Sequence, residues 1–527
     1  MNFIVGSGPA GVSAALALVD QGQPVTMIDA GYQLEPDRQD VVNSLHSKKR
    51  DAWDPLELQA LRQKTEAWIG GIPLKRIYGS TYPIRGVDQF VLEESEKFWT
   101  LASLGQGGLS AIWGAAVLPF EAADFKQWPL TLEDLVPHYR KILSVLPLSA
   151  RKDALEMHYP LYVDNPPALA LSLQAQAFYA DLDKKRSQLE QQRLFFGAAR
   201  LAVRVLNGSQ GPGCVYCGLC LYGCPYELIY NSAQMLSRLR QNANFKYRSG
   251  LLVDRVLEKG SEVELVGRVL EGGESFRLVG SRVFLAGGVL NTARIMLASM
   301  EAREKELTVC SNQNFILPLL RFRSISQVSK ENLHTLAQLF IEYFDPQSIR
   351  GNVHMQVYSY NDLYISALQK LFGPLFAAIK PFLNPLLGRL LIVQGYLHSD
   401  YSPTLKLRWD PVSKRVRVQS QRHPQTHERI KTITGLFLRN MRQFQALPLI
   451  PILKLSGPGI GAHIGGSFPM RKNPGPFETD RLGIPTGYRR VHLVDASGFP
   501  DIPANTITLT IMANAHRIAS VASLEGA

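Results

Sequence analysis

The chain has 527 residues, 46% of them apolar and 19% charged, which excludes a disordered or fibrous protein and leaves room for more than one domain at roughly 100–200 residues each. A formal net charge of +12 fits phosphate-bearing compounds or anionic head groups as partners, and equally a plain basic surface. The basic residues gather into nothing longer than KKR at 48–50 and KKRS at 184–187, and no nucleic-acid motif accompanies them, so nucleic acid is not expected as a partner.

The first element is a short apolar strand, Phe3 to Val5, running into Gly6-Ser7-Gly8-Pro9-Ala10-Gly11. A helix is predicted from there to about Gly22, then a second strand from Val25 to Ile28 that ends in Asp29. This is G-x-G-x-x-G in its proper setting. Gly6 permits the tight turn, Gly8 lets the backbone approach a pyrophosphate, and Gly11 lets helix and strand pack closely. The helix N-terminus offers its amides to phosphate, and Asp29 can accept from a ribose hydroxyl. The motif does not separate FAD from NAD. The opening MNFIVGSGPAG runs straight into structure with no basic leader, so a cytoplasmic location is expected, or export with a partner that carries the signal.

Further on, GCVYCGLCLYGCP (213–225) packs four of the five cysteines into eleven residues. Cys214, Cys217, Cys220 and Cys224-Pro225 give C-x2-C-x2-C-x3-C-P, the bacterial ferredoxin run. Three of these thiols, all four, or a set completed by the distant Cys310 would serve a cluster. A purely structural loop remains open, as do zinc and disulfide, although zinc sites usually use two separated knuckles and no second one is visible.

Residues 365–393, ISALQKLFGPLFAAIKPFLNPLLGRLLIV, are strongly apolar, with Lys370, Lys380 and Arg389 spaced along them. Three prolines and these charges argue against a membrane-spanning helix. A broken amphipathic segment lying in a membrane interface and a buried cap over a site entrance both fit. RLLIVQGYLH (389–398) reads as a strand, and TLKLRWDPVSKRVRVQS (404–420) as a hairpin around Asp410-Pro411.

At the far end, VHLVDASGFPDIPANTITLTIMANAHRIA (491–519) resembles the C-terminal signature of the glucose–methanol–choline (GMC) oxidoreductases, FAD enzymes that oxidise alcohols. LASLGQGGLSAIWGAAVLPFEAADFKQWP (101–129) is similar to that family's glycine-rich flavin loop, which puts Gly107, Gly108 and Trp113 at the cofactor. VFLAGGVLNTARIMLAS (283–299) is similar to the segment that returns to the cofactor, through Gly287, and GAHIGGSFPM (461–470) to the segment ahead of the active site. No motif is recognised from about 310 to 450.

The resemblance implies an α/β chain, α+β overall. A Rossmann-like FAD-binding domain is expected from the discontinuous segments 1–45, 95–125, 195–310 and 455–527. A substrate-binding domain with an antiparallel sheet is expected from 126–194 and 311–454. In family terms His463 is the base and Asn505, 42 residues on, holds the substrate oxygen. Asn505 lacks the family's following proline, so Thr506 can reach the substrate instead. Asp495 matches a position near the flavin ribityl chain, or else caps a turn. FAD sugar dehydrogenases with an iron–sulfur centre carry a cysteine-rich loop in the same region as Cys214–Cys224. The expected activity is FAD-dependent oxidation of the CH–OH group of an alcohol or sugar, glycan- or lipid-linked substrates included. Electrons would pass to an external acceptor protein or quinone, with peripheral membrane contact through 365–393. An oxidase using oxygen, with structural cysteines, and a non-catalytic electron-transfer subunit are the alternatives.

Overall fold

The computed structural model describes residues 1–62, 68–69, 72–73, 77–93, 101–206, 212–363, 365, 369, 372–379, 383–457 and 463–524. Lys370 and Lys380 of the apolar stretch, and Gly461 and Ala462 beside His463, lie outside them.

A five-stranded parallel sheet anchors the first part of the fold. Its order is Val491–Leu493, Arg282–Leu285, Asn2–Val5, Val25–Ile28, Phe245–Arg248. Asn2–Val5 and Val25–Ile28 are buried along their whole length, as strands covered on both faces must be. The predicted helix forms over Pro9–Asp20 and is followed by Gly22 at φ 70°, the left-handed conformation that glycine adopts most readily. Helix Thr508–Leu524 packs along Pro9–Asp20, and Gln21 Nε2 donates to Ser520 O at 3.2 Å. An antiparallel meander, Leu251–Lys259, Glu262–Val269 and Ser275–Gly280, lies alongside.

The second part is an antiparallel sheet in the order Ala446–Pro448, Asn314–Arg321, Leu390–Leu397, Val353–Tyr358, Leu339–Tyr343, Leu194–Ala198. One of its faces carries Leu317, Leu339, Ile341, Val353, Met355, Val357 and Val393 into a core shared with helices Leu173–Asp183 and Thr426–Arg439. The expected strand at 389–398 is its Leu390–Leu397. The expected hairpin forms as Thr404–Asp410 and Arg415–Gln421, closed by Asp410 accepting from Val412 N and by Lys414 at φ 57°. It joins a different sheet, between Glu306–Ser311 and Val91–Glu93, so the two predicted strand regions are not sheet neighbours.

Candidate active site

The turn after the first strand is shaped by three glycines with different reasons for lacking a side chain. A Cβ on Gly6 (φ 102°) would lie 2.5 Å from Ala286 O, and one on Gly11 would lie 2.0 Å from Gly6 O. A Cβ on Gly8 would meet nothing nearer than Gly108 Cα, at 3.9 Å. Gly8 has ordinary extended dihedrals and packs against nothing that forbids a methyl group, so the protein's own packing does not explain the glycine there. Gly108 is the tighter of the pair: a Cβ on it would come within 3.1 Å of Gly8 Cα, so the two glycine backbones lie close together. No side chain caps the helix that starts at Pro9, which leaves its N-terminal amides for an anion. Gly107 and Gly108, at φ 82° and 60°, form the facing wall, tied back by Gly107 N donating to Ser7 Oγ at 3.0 Å.

Asp29 lies at the end of the second strand, as the motif requires. Its carboxylate accepts from the Ser7 hydroxyl and from Tyr247 OH at 3.0 Å. Burial pushes its pKa up to about 6, against the opposing effect of those hydrogen bonds. Asp495 is a cap. Its Oδ2 accepts from Gly288 N (2.9 Å) and Thr292 Oγ1 (2.6 Å), and its Oδ1 from Ser497 N (2.9 Å). It thereby fixes the Gly287-Gly288 turn, which lies against Gly6. Trp113 Nε1 donates to Tyr230 O at 2.8 Å, which sets the indole on the loop that continues from Gly108.

His463 is partly exposed, and its ring stacks on Tyr396 at 5.3 Å and 26°. Burial, with His354 nearby, draws its pKa down to about 4, so the imidazole is neutral at physiological pH. The Asn312 amide nitrogen lies 2.8 Å from Nδ1, while Asn312 Oδ1 is buried without a partner among the described residues. As placed, the amide donates to Nδ1 and the imidazole proton sits on Nε2; the same amide turned over would accept from Nδ1–H and leave Nε2 as the lone-pair nitrogen, the tautomer a base needs.

Asn505 and Thr506 both clasp the segment after Trp113. Asn505 Nδ2 donates to Pro119 O at 3.2 Å, and Thr506 Oγ1 accepts from Leu118 N at 3.0 Å. Asn505 Oδ1 is buried with no partner among the described residues, so of the two it is Asn505 that keeps an unused acceptor.

Several further polar residues converge here from the stretch with no recognised motif. Register places Glu342, His354, Tyr396 and Asn314 in one row across four neighbouring strands. His354 Nδ1 lies 2.6 Å from Glu342 Oε1, and the Tyr396 ring stacks between His354 and His463. Tyr358 stands four residues along its strand from this row, with its hydroxyl against Gly114. Tyr358 thus stands by the loop that continues from Gly108, and Tyr396 stacks on His463.

Burial first, and then the neighbouring cysteines, raise the pKa of Cys214, Cys217 and Cys224; Cys217 is pushed up to about 12. The loop is pinned from outside by Arg50 donating to Tyr216 O and Tyr78 OH donating to Cys224 O. Among the described residues no group of three or more His, Cys, Asp or Glu is disposed to hold a metal ion. Cys310 sits elsewhere, under Gly466, with Asp501 and Asp400 as its charged neighbours.

No family model matches the chain, and no curated protein matches it in sequence. Solved structures do. The pyridoxine 4-oxidase from Mesorbium loti superposes with a TM-score of 0.60 over 98% of this chain and 98% of that one, at 13% identity. A formate oxidase from Aspergillus oryzae RIB40, from work on FAD modification, gives 0.58 over 100% and 98%, at 12% identity. This chain has their fold. At that identity the likeness extends to the architecture, a mixed α/β chain with a Rossmann-like sheet and an antiparallel-sheet domain, over essentially full length.

Proposed function

We propose that the chain is a member of the GMC family and an FAD-dependent oxidoreductase acting on the CH–OH group of an alcohol or sugar. One observation carries this reading: helix Pro9–Asp20 starts uncapped behind Gly8, where protein packing asks for no glycine and Gly108 closes in on the turn; the chain also holds a neutral, partly exposed imidazole at His463. The residues fit the cofactor. Gly6, Gly8, Gly11, Gly107 and Gly108 would hold its pyrophosphate, and Asp29 a ribose hydroxyl. Bound there, FAD supplies a two-electron acceptor for the hydride. The chain supplies the rest. His463 Nε2 takes the hydroxyl proton, Asn312 fixes the tautomer, and the Asn505 amide borders the substrate oxygen.

The electron exit is a separate part of the proposal. The C-x2-C-x2-C-x3-C-P spacing supports an iron–sulfur cluster serving an external acceptor protein or quinone. The thiols as folded are near one another, and among the described residues they are not arranged around a metal ion. A second reading, direct reaction with oxygen, is favoured by the two structural neighbours, both named as oxidases. Iron and acid-labile sulfide in anaerobically purified protein decide between them. Peripheral membrane contact is supported by Phe372 and Leu375, which stand exposed in the 365–393 stretch. No helix among the described residues is long and apolar enough to cross a membrane.

The test of the central reading is spectroscopic. Purified protein should show a flavin spectrum that bleaches anaerobically on adding an alcohol. Colourless protein, or flavin that no alcohol or sugar reduces, refutes it.

A further inference from the structure

The strand Val353–Tyr358 alternates strictly. Val353, Met355 and Val357 point into the hydrophobic core, and His354, Gln356 and Tyr358 point the other way. Such a polar face normally lies in water. Here His354 and Gln356 are fully buried, and only Tyr358 keeps partial exposure, beside the exposed Gly114 and across Tyr396 from His463. A covered polar face on a central strand costs desolvation unless each group is paired.

The pairing has a single direction. Tyr358 OH donates to Gln356 Oε1 at 2.8 Å. Gln356 Nε2 donates to His354 Nε2 at 3.1 Å, which places the His354 proton on Nδ1. Nδ1 donates to Glu342 Oε1 at 2.6 Å, and Tyr159 OH donates to Glu342 Oε2 at 3.4 Å. Glu342 is itself buried, and His354 is its only partner at salt-bridge distance among the described residues. Every donor in the chain therefore points toward one buried carboxylate. Turning the Gln356 amide over would set its Oε1 against the unprotonated Nε2 of His354, acceptor against acceptor. The Tyr358 proton is committed inward, and its oxygen is left facing the site as an acceptor only, strengthened by the polarised chain behind it.

We propose that Tyr358, held by Gln356, His354 and Glu342, is a specificity-determining acceptor that reads a second, donor hydroxyl on the substrate, next to the one oxidised. The inference rests on the reading given under Proposed function and narrows it. The substrate is a neutral compound with at least two neighbouring hydroxyls, as in a sugar or polyol. A simple alcohol lacks the donor, and a carboxylate would meet an acceptor backed by negative charge.

The experiment uses the flavin-loaded enzyme and a matched pair, cyclohexanol and trans-cyclohexane-1,2-diol, which differ by one hydroxyl. Anaerobic flavin reduction gives kcat/KM for each, and the shift in thermal midpoint on adding the diol reports binding without turnover. The wild type should prefer the diol by about 10–100-fold, the range expected of one strong hydrogen bond. Tyr358→Phe should erase that preference and the diol-induced thermal shift, lowering kcat/KM for the diol far more than for cyclohexanol. Gln356→Leu frees the Tyr358 hydroxyl to rotate and donate, and should weaken the preference several-fold while Tyr358 stays in place. Equal use of the pair by the wild type, a preference that survives Tyr358→Phe, or parallel losses on both substrates overturns the proposal. Protein with flavin that reduces on other alcohols but not on this pair also overturns it. Absent flavin, or flavin inert to every alcohol, is a different result and refutes the oxidoreductase reading itself.

Discussion

Gly8→Ala and Gly11→Ala differ by one methyl group in the same turn, yet they should fail in different ways. At Gly11 the added Cβ would sit 2.0 Å from Gly6 O, far inside contact distance and against backbone that cannot swing away. The helix must move off the strand, an overpacking cost of about 1–3 kcal/mol, which for a chain this long lowers the melting temperature by roughly a few degrees. At Gly8 the Cβ finds only Gly108 Cα at 3.9 Å, with φ −66° and ψ −178° that alanine adopts freely. Stability of the flavin-free protein should stay within about 0.5 kcal/mol of wild type or rise slightly, since alanine also narrows the unfolded ensemble. What Gly8→Ala fills is the space kept for the cofactor. Flavin per chain, from the ratio of visible to 280 nm absorbance, should fall sharply, and in Gly8→Val further still. Thermal scans of flavin-stripped wild type and both variants, with reconstitution titrations, give the comparison. Full flavin binding by Gly8→Ala, or unchanged stability in Gly11→Ala, would refute the assignment of one glycine to the ligand and the other to packing.

His463→Ala should lower turnover by roughly 10²–10⁴ with normal flavin content, as loss of a general base predicts; near-wild-type flavin reduction in a single turnover sinks that role. Because burial holds the His463 pKa near 4, the base is in its working form above that value, so the acid limb attributed to it should appear near pH 4 and not near 6.5. His138 and His516 meet Nδ1 to Nδ1 at 2.8 Å between two helices, and both have pKa values lowered to about 4, by burial first and then by neighbouring cations. The unfolded chain therefore takes up protons that the folded one refuses, so stability should be flat above pH 7 and fall as pH drops from 6.5 toward 4. His516→Gln should flatten that fall in thermal scans, and an unchanged profile excludes the pair as its source. Leu375→Glu should reduce co-sedimentation with anionic phosphatidylserine vesicles; equal sedimentation by wild type and variant would remove the membrane proposal.

The dinucleotide turn was legible because its pattern is local: strand, three glycines, helix and acid fall within the first 29 residues, although only Gly11 answers to a contact a few residues away, and Gly6 answers to Ala286. Asp495 was half legible. Its position beside the Gly287-Gly288 turn followed from the resemblance, but both carboxylate oxygens are spent on Gly288, Thr292 and Ser497. The polar row was not legible at all. In VHMQVY (353–358) His354, Gln356 and Tyr358 alternate with apolar residues, which in a single sequence reads as an ordinary solvated strand face. Only the pairing of Glu342 with His354 across the ladder, and the cover over that face, turn the same pattern into a buried site. Asn312 escaped notice for a related reason. Nothing in sequence links it to His463, 151 positions away, until two chain segments are laid side by side.

The central strand, Asn2–Val5, has as its sheet neighbours residues 25–28 and 282–285, and beyond the latter residues 491–493. This geometry delays assembly. A chain emerging from the ribosome makes the dinucleotide turn within its first 29 residues but lacks until the very end Asp495, which sets the facing Gly287-Gly288 turn, and helix Thr508–Leu524, which lies along the first helix. The proposed cofactor would therefore wait for residues 491–524: a chain that lacks them has the glycine turn without its frame. Folding should be slow, as the wide sequence separation of these contacts dictates, and the early strands must stay apart from one another's copies for most of the time it takes to translate the rest.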